Sequence, residues 1–254
     1  MGQPYLSVVI PAFNEEARIQ QTLELVVEFL AAGSYPWEVV VADDGSTDAT
    51  AKLVGAFAAS HDNVKLVNLG HRGKGWAVKQ GMLESSGTYR LLCDADLSVP
   101  IDQVERLLPP KTLDVDIAVG SREQPDSQRF GEPARRHLMG RVYNILVRAL
   151  AVPGIRDTQC GFKCYRGEIV PRLFGAQRME GFAFDAEVMF LALKSGLTIR
   201  EIGVDWYYGQ GSKVRAVTDS LSMTGDLLKI RWNYKFGRYA GFNRSNIAER
   251  SPGK

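Results

Sequence analysis

The stretch LLCDADLSVP, residues 91–100, carries an apolar run into two carboxylates, Asp94 and Asp96, with one residue between them. In an extended chain, residues two apart face the same way, so both acids share a face. At roughly 6 Å and an effective dielectric near 20, their repulsion is about 3 kcal/mol. A hard divalent cation offsets it. Mg2+ or Mn2+ takes oxygen ligands and commonly bridges one or two carboxylates to substrate phosphates. Lys74, Arg122 and Arg136 are candidate partners for the same phosphates, arginine being suited to bidentate contact. Asp44 and Glu15 repel phosphate, so sugar hydroxyls or base N–H groups are their natural targets.

The elements that must position these residues alternate. β-rich runs at Leu6–Ile10, Glu38–Ala42, Val64–Leu69, Tyr89–Cys93 and Ile117–Val119 predict strands. Helical periods fall between them, near Glu15–Ala32, Asp48–Ser60, Lys74–Ser86 and Asp102–Leu108. This order predicts an α/β fold, a doubly wound and mostly parallel sheet with helices on both faces. PAFNEE, DDGSTD, GHRGKG, DADLS and GSR each follow one of the five strands, at the edge where open parallel sheets bind ligands. Within DDGSTD, Ser46 is also placed to cap the following helix. The polar stretch 122–136 reads as a flexible loop. After it come a helix near Arg136–Ala151, the unassigned segment DTQCGFKCY, a helix near Ala183–Ser195, a strand at Thr198–Val204 and a long helix from about Ser220.

Several classes are excluded. The 254 residues carry a net charge of +2, too little to demand nucleic acid. The three cysteines form no CxxC pair and read as small buried thiols in a reducing compartment. No GxGxxG follows a strand and no GxxxxGK[ST] occurs, which argues against a dinucleotide oxidoreductase and a P-loop NTPase. Apolar stretches are too short and too charged to span a bilayer, so a cytoplasmic body is expected. A nucleotide-sugar fits what remains.

VVIPAFNEE, VVVADDGSTD, GKGWAVKQGM, DADLS and GSR, in this order, resemble the GT-A glycosyltransferases of family 2. GIRDTQCGFKCYRG, GFAFDAEVMFLA, EIGVDWYYGQGSKVR and DSLSMTGDLLKIRWNY are similar to the dolichyl-phosphate β-glucosyltransferase group. The resemblance covers residues 5–239. It implies a GT-A domain over 1–212 and inverting transfer of a sugar, glucose from UDP-glucose, to a polyprenyl phosphate. Pro11, Ala12, Phe13, Asn14, Glu15, Asp44, Lys74, Asp94 and Ala95 would then contact the nucleotide-sugar. Asp94 and Asp96 would hold the metal, and Arg122, Arg136, Ser212 and Lys213 would meet the diphosphate or the acceptor phosphate. Mannose-transferring relatives often carry Gln where this chain has Ser98, so Ser98 is not counted as a ligand. Asp185 stands where many members keep a base; here it either orients a sugar hydroxyl or caps the next helix. Asp157 is a sugar contact or a turn residue, and CGFKC is core packing plus one surface lysine. A GDP-mannose-dependent enzyme and a non-catalytic nucleotide-sugar-binding domain are the alternatives; a homodimer stays open.

Residues 213–254 read as an interfacial helix and tail. Leu221, Leu228, Trp232, Phe236 and Tyr239 form one stripe, and Met223, Leu227, Ile230 and Tyr234 form another nearly opposite. Lys229, Arg231, Lys235 and Arg238 lie between them, and Lys213 and Arg215 precede them. Basic and aromatic residues around an apolar stripe predict peripheral attachment to the cytoplasmic membrane face.

Overall fold

The structure, a computed structural model, describes residues 2–133, 144–209 and 218–239, with the helical path alone for 218–224. Expected Arg136, Ser212, Lys213, Arg215, Leu221 and Met223 therefore lie outside the described side chains.

The sheet contains the six expected strands and one unexpected strand between them. Strands β1 (Leu6–Ala12), β2 (Trp37–Asp43), β3 (Val64–Asn68), β4 (Tyr89–Cys93), β5 (Ile117–Ser121), β7 (Phe162–Arg166) and β8 (Ile199–Gly203) lie in the order β3-β2-β1-β4-β7-β5-β8. All pairings are parallel except those of β7, which runs against both β4 and β5. β1 is buried along its whole length, which is why LSVVIPA reads as a continuous apolar run. Alternation sorts the core into two layers. Val8, Ile10, Val39, Val41, Leu91 and Cys93 face helices α1 (Ile19–Ala32), α2 (Thr50–Ala58) and α4 (Val104–Leu107). Val9, Val40, Leu92, Ile117 and Val119 face α3 (Lys74–Glu84), α6 (Val170–Ala176) and α7 (Phe184–Lys194). A further helix, α5, is described over 144–150.

Several readings need correction. β7 and α6 were not expected; β7 is short, and its central Lys163 disguises a buried strand as a polar one. The expected loop 122–136 contains β6 (Gln128–Phe130), which pairs in parallel with β9 (Asp205–Tyr207). Arg129 stabilises it, one guanidinium reaching Glu123, Glu132 and the Arg122 carbonyl. Helix α1 begins at Ile19 rather than Glu15, because the Glu15 and Glu16 amides donate across to Thr50 and Asp48. Helix α2 has Ala49 as its N-cap; Ser46 donates instead to Asp43 at 2.5 Å.

Helix α8 (Thr218–Lys235) packs Leu227 and Ile230 into the layer holding α7. Leu228, Trp232 and Phe236 of the first stripe are exposed, and so is Tyr234 of the second. Tyr239 does not belong to the first stripe. The helix ends at Lys235, Gly237 takes φ 66°, and Tyr239 turns inward to donate its hydroxyl to Glu187 at 2.5 Å. Among the described residues, no helix is long and apolar enough to cross a membrane.

Candidate active site

The carboxyl ends of β1, β2 and β4 meet where the sheet order places them side by side. Pro11 and Ala12 end β1 opposite Ala42 and Asp43 of β2. Phe13 follows, its ring stacked on His71 at 4.2 Å between centroids and 17° between planes. Asn14 adopts φ 53°, a conformation uncommon outside glycine, and its side chain accepts from the Thr47 amide at 2.8 Å. Glu15 is paired with Arg18 at 3.0 Å.

Asp44 is buried and organises the loop after β3. Its carboxylate accepts from the Arg72 amide at 3.0 Å and the Gly73 amide at 2.8 Å, and it meets His71 Nδ1 at 2.8 Å. Gly45 has φ 72°, and a Cβ there would come within 2.7 Å of the His71 amide. The loop therefore lies directly on the β2 turn. Its far end starts α3, whose first side chain is Lys74.

Lys74 Nζ lies 2.7 Å from Asp94 Oδ1, at the exit of β4. Burial opposes its charge, yet Asp94, Asp185 and Asp96 more than offset that and hold its pKa above the ordinary lysine value. Asp96 is exposed and accepts from the Ser98 amide at 2.9 Å. The chain does not stay extended between the acids, as a shared face would need: residues 95 and 96 form a turn closed by the Leu97 amide on the Asp94 carbonyl at 3.1 Å, the Ala95 carbonyl accepts from buried Thr22 on α1 at 2.7 Å, and Leu97 takes φ 46°. A left-handed leucine beside two acids is local strain held by its surroundings. Across from Asp94, a Cβ on Gly161 would fall 2.0 Å from Oδ2, so the entrance to β7 presses directly on the carboxylate.

The chain can hold a divalent cation. Despite the nearby ammonium, Asp94 Oδ1 is buried and receives no aligned hydrogen bond, an acceptor suited to a metal. Among the described residues no group of three or more His, Cys, Asp or Glu is arranged around one point. Protein carboxylates supply only part of a shell, and the oxygens of a bound diphosphate would complete it.

Other expected residues stand differently. Arg122 is not a free cation at the β5 exit: Nε and Nη2 grip wholly buried Asp157 at 2.7 and 2.8 Å, and the guanidinium lies 5.4 Å from the Trp206 ring centre. Burial would raise the Asp157 pKa, but Arg122 outweighs it and brings the carboxyl down to about 2. Asp157 is thus the anchor of Arg122. Asp185 lies in the first turn of α7 but caps nothing; the N-cap is Ala183. Its Oδ1 accepts from Lys163 Nζ at 2.5 Å. Burial pushes the Asp185 pKa up against the pull of Lys163 and Lys74. Lys163, expected at the surface, is completely buried and also donates to the Cys160 carbonyl at 2.6 Å. Lys163, Gly161, His71 and Thr22 were not singled out from the sequence. Alternation did carry a signal for Lys163: Phe162 and Cys164 pack on one layer and Tyr165 on the other, so Lys163 had to enter the core between β7 and α7.

Residues 7–174 match the family model for glycosyl transferase family 2. The dolichyl-phosphate beta-glucosyltransferase of Dictyostelium discoideum is 37% identical over 92% of this chain and 76% of its own. The Homo sapiens enzyme of that name is 35% identical over 92% and 77%. Two solved structures share the fold. Glucosyl-3-phosphoglycerate synthase of Mycobacterium tuberculosis, with Mn2+, UDP-glucose and phosphoglyceric acid, has a TM-score of 0.63 and 20% identity over 91% of this chain and 79% of that one. Mannosyl-3-phosphoglycerate synthase of Rubrobacter xylanophilus has a TM-score of 0.65 and 18% identity over 99% and 78%. With the GT-A architecture, a strand-end carboxylate pair and a family match over most of its length, the chain belongs to glycosyl transferase family 2.

Proposed function

We propose that the chain transfers glucose from UDP-glucose to the phosphate of dolichol or another polyprenol, with inversion at the anomeric carbon. The observation that carries this is the Asp94–Asp96 pair with Lys74 at the ends of β4 and α3, in a chain 34–37% identical to several dolichyl-phosphate β-glucosyltransferases. Phe13, Asn14, Glu15 and the Asp44–His71 loop wall the side where the nucleoside fits. Asp94 and Asp96 would hold Mg2+ or Mn2+, which neutralises charge on the departing diphosphate. The Mn2+ complex of the mycobacterial fold relative supports that choice of ion class.

The acceptor needs no strong base. A phosphomonoester has a second pKa of about 6 and is largely a dianion at neutral pH. One of its oxygens forms a bond to the anomeric carbon while the bond to the UDP oxygen breaks, so one displacement inverts the centre. Asp185, already bonded to Lys163, is left to position neighbouring groups rather than to take a proton. Helix α8 suggests how a lipid arrives. Leu228, Trp232 and Phe236 stand exposed, with the last two rings 4.4 Å apart, among exposed Lys229, Arg231, Lys235 and Arg238. We place this face on the cytoplasmic leaflet. A product assay with a panel of UDP- and GDP-sugars and a short polyprenyl phosphate tests the assignment. UDP-glucose should turn over fastest, and faster turnover of GDP-mannose would reassign the donor.

A further inference from the structure

Lys74 and Asp94 are each fixed from behind. Gly73 and Gly75 flank Lys74 so tightly that a Cβ on either would meet the 179–181 backbone within 2.7 Å. Asp94 backs onto Gly161. The Lys74 backbone and the Asp94 carboxylate cannot retreat, so the flexible lysine stem opens the contact. The contact itself is loose in direction: Nζ stands 2.7 Å from Oδ1 without an aligned hydrogen bond. Such a pair is held by charge rather than geometry, and another cation can take its place.

We propose that Lys74 is a resident counter-ion occupying the cation position on Asp94 until the donor arrives, so that metal and nucleotide-sugar enter together rather than metal first; this rests on the glycosyl-transfer reading of the site.

Charge balance carries the order. The Lys163–Asp185 pair contributes no net charge, whichever partner holds the proton. Asp94, Asp96 and Lys74 together leave the site at −1. A lone divalent ion would turn that into +1 and leave the displaced ammonium facing the metal. A metal bound to the dianionic diphosphate of a nucleotide-sugar adds nothing to the net, and its phosphate oxygens accept the displaced ammonium. Lys74 thus excludes the bare ion and follows the loaded one.

Mn2+ titration of the full chain, wild type and Lys74→Met, with and without UDP, tests this. Wild type should bind Mn2+ weakly alone and far more tightly with UDP. Lys74→Met should bind Mn2+ alone about tenfold more tightly than wild type, equivalent to about 1.4 kcal/mol. Lys74→Arg, which keeps the charge, should behave as wild type. A second measurement needs no neutral variant. The Lys74 ammonium resonance of the wild-type chain, assigned by its loss in Lys74→Arg, should move when Mg2+ and UDP are added together and stay in place with Mg2+ alone. If UDP tightens Mn2+ in wild type while Lys74→Met gains nothing, or if Mg2+ alone moves the resonance, the counter-ion role is overturned and the transferase reading survives. If wild type binds no Mn2+ with UDP, the reading beneath it falls as well.

Discussion

Lys163, at the middle of β7, places its ammonium 2.5 Å from Oδ1 of Asp185 in the first turn of α7, and both side chains are buried. Removing one partner of such a pair leaves an uncompensated buried charge, at a cost of about 3–5 kcal/mol. Lys163→Met should lose that much in urea unfolding, and adding Asp185→Asn should restore most of it. A double variant as unstable as the sum of the single changes would show that the two residues do not act as a pair.

Arg122 and Asp157 make acid stability a readable quantity. The Asp157 carboxyl is lowered to about 2 in the folded chain, below its ordinary value, so the pair stabilises the fold above about pH 4. That contribution, about 2 kcal/mol from a shift of this size, is lost as pH falls toward 2. Asp157→Asn should lower stability at neutral pH and flatten its decline between pH 4 and 2. An unchanged slope would place the pair's energy elsewhere.

Gly161 is a position where one methyl group should disable the site. Its Cβ would stand 2.0 Å from Asp94 Oδ2, so Gly161→Ala must push the carboxylate aside. Overpacking of this kind costs about 1–3 kcal/mol of stability. Mn2+–UDP affinity should fall at least as much as in Asp94→Asn, with the circular dichroism spectrum unchanged. Wild-type affinity in Gly161→Ala would mean that Asp94 is not a ligand.

Helix α8 predicts a salt-sensitive lipid surface. Each basic residue near an anionic bilayer adds about 1 kcal/mol. Flotation with phosphatidylserine-containing liposomes should therefore collapse when Lys229, Arg231, Lys235 and Arg238 are neutralised together, and weaken with salt in the unaltered chain. Unchanged flotation of the quadruple variant would assign the exposed face of α8 to a protein partner.

Sequence reading recovered the parallel body because its strands are apolar runs and its helices keep a 3.6-residue period. The places of Asp94 and Lys74 were legible for a related reason, since they stand just past β4 and at the start of α3, where topology dictates position; the turn that carries Asp96 away from an extended path was not. Arg122 was legible at the exit of β5, but not the partner it holds there. Nothing local announces that Asp157, 35 residues on, grips its guanidinium. Lys163 was misread as a surface residue because its partner is 22 residues away on α7. The small β6–β9 sheet escaped because three polar-flanked residues carry no period; Arg129 holds it through side-chain contacts that propensity does not register. The inward turn of Tyr239 follows from Gly237, which ends the helical wheel on which Tyr239 had been placed.

The most direct measurement is the appearance of lipid-linked glucose from UDP-glucose and a short polyprenyl phosphate, followed with Mg2+ or Mn2+ and again in excess EDTA. Glucosyl phosphate of inverted anomeric configuration should form with metal, cease with chelator, and be nearly abolished in folded Asp96→Ala. Full turnover in EDTA, or an active Asp96→Ala chain, would contradict a site built on the strand-end carboxylates.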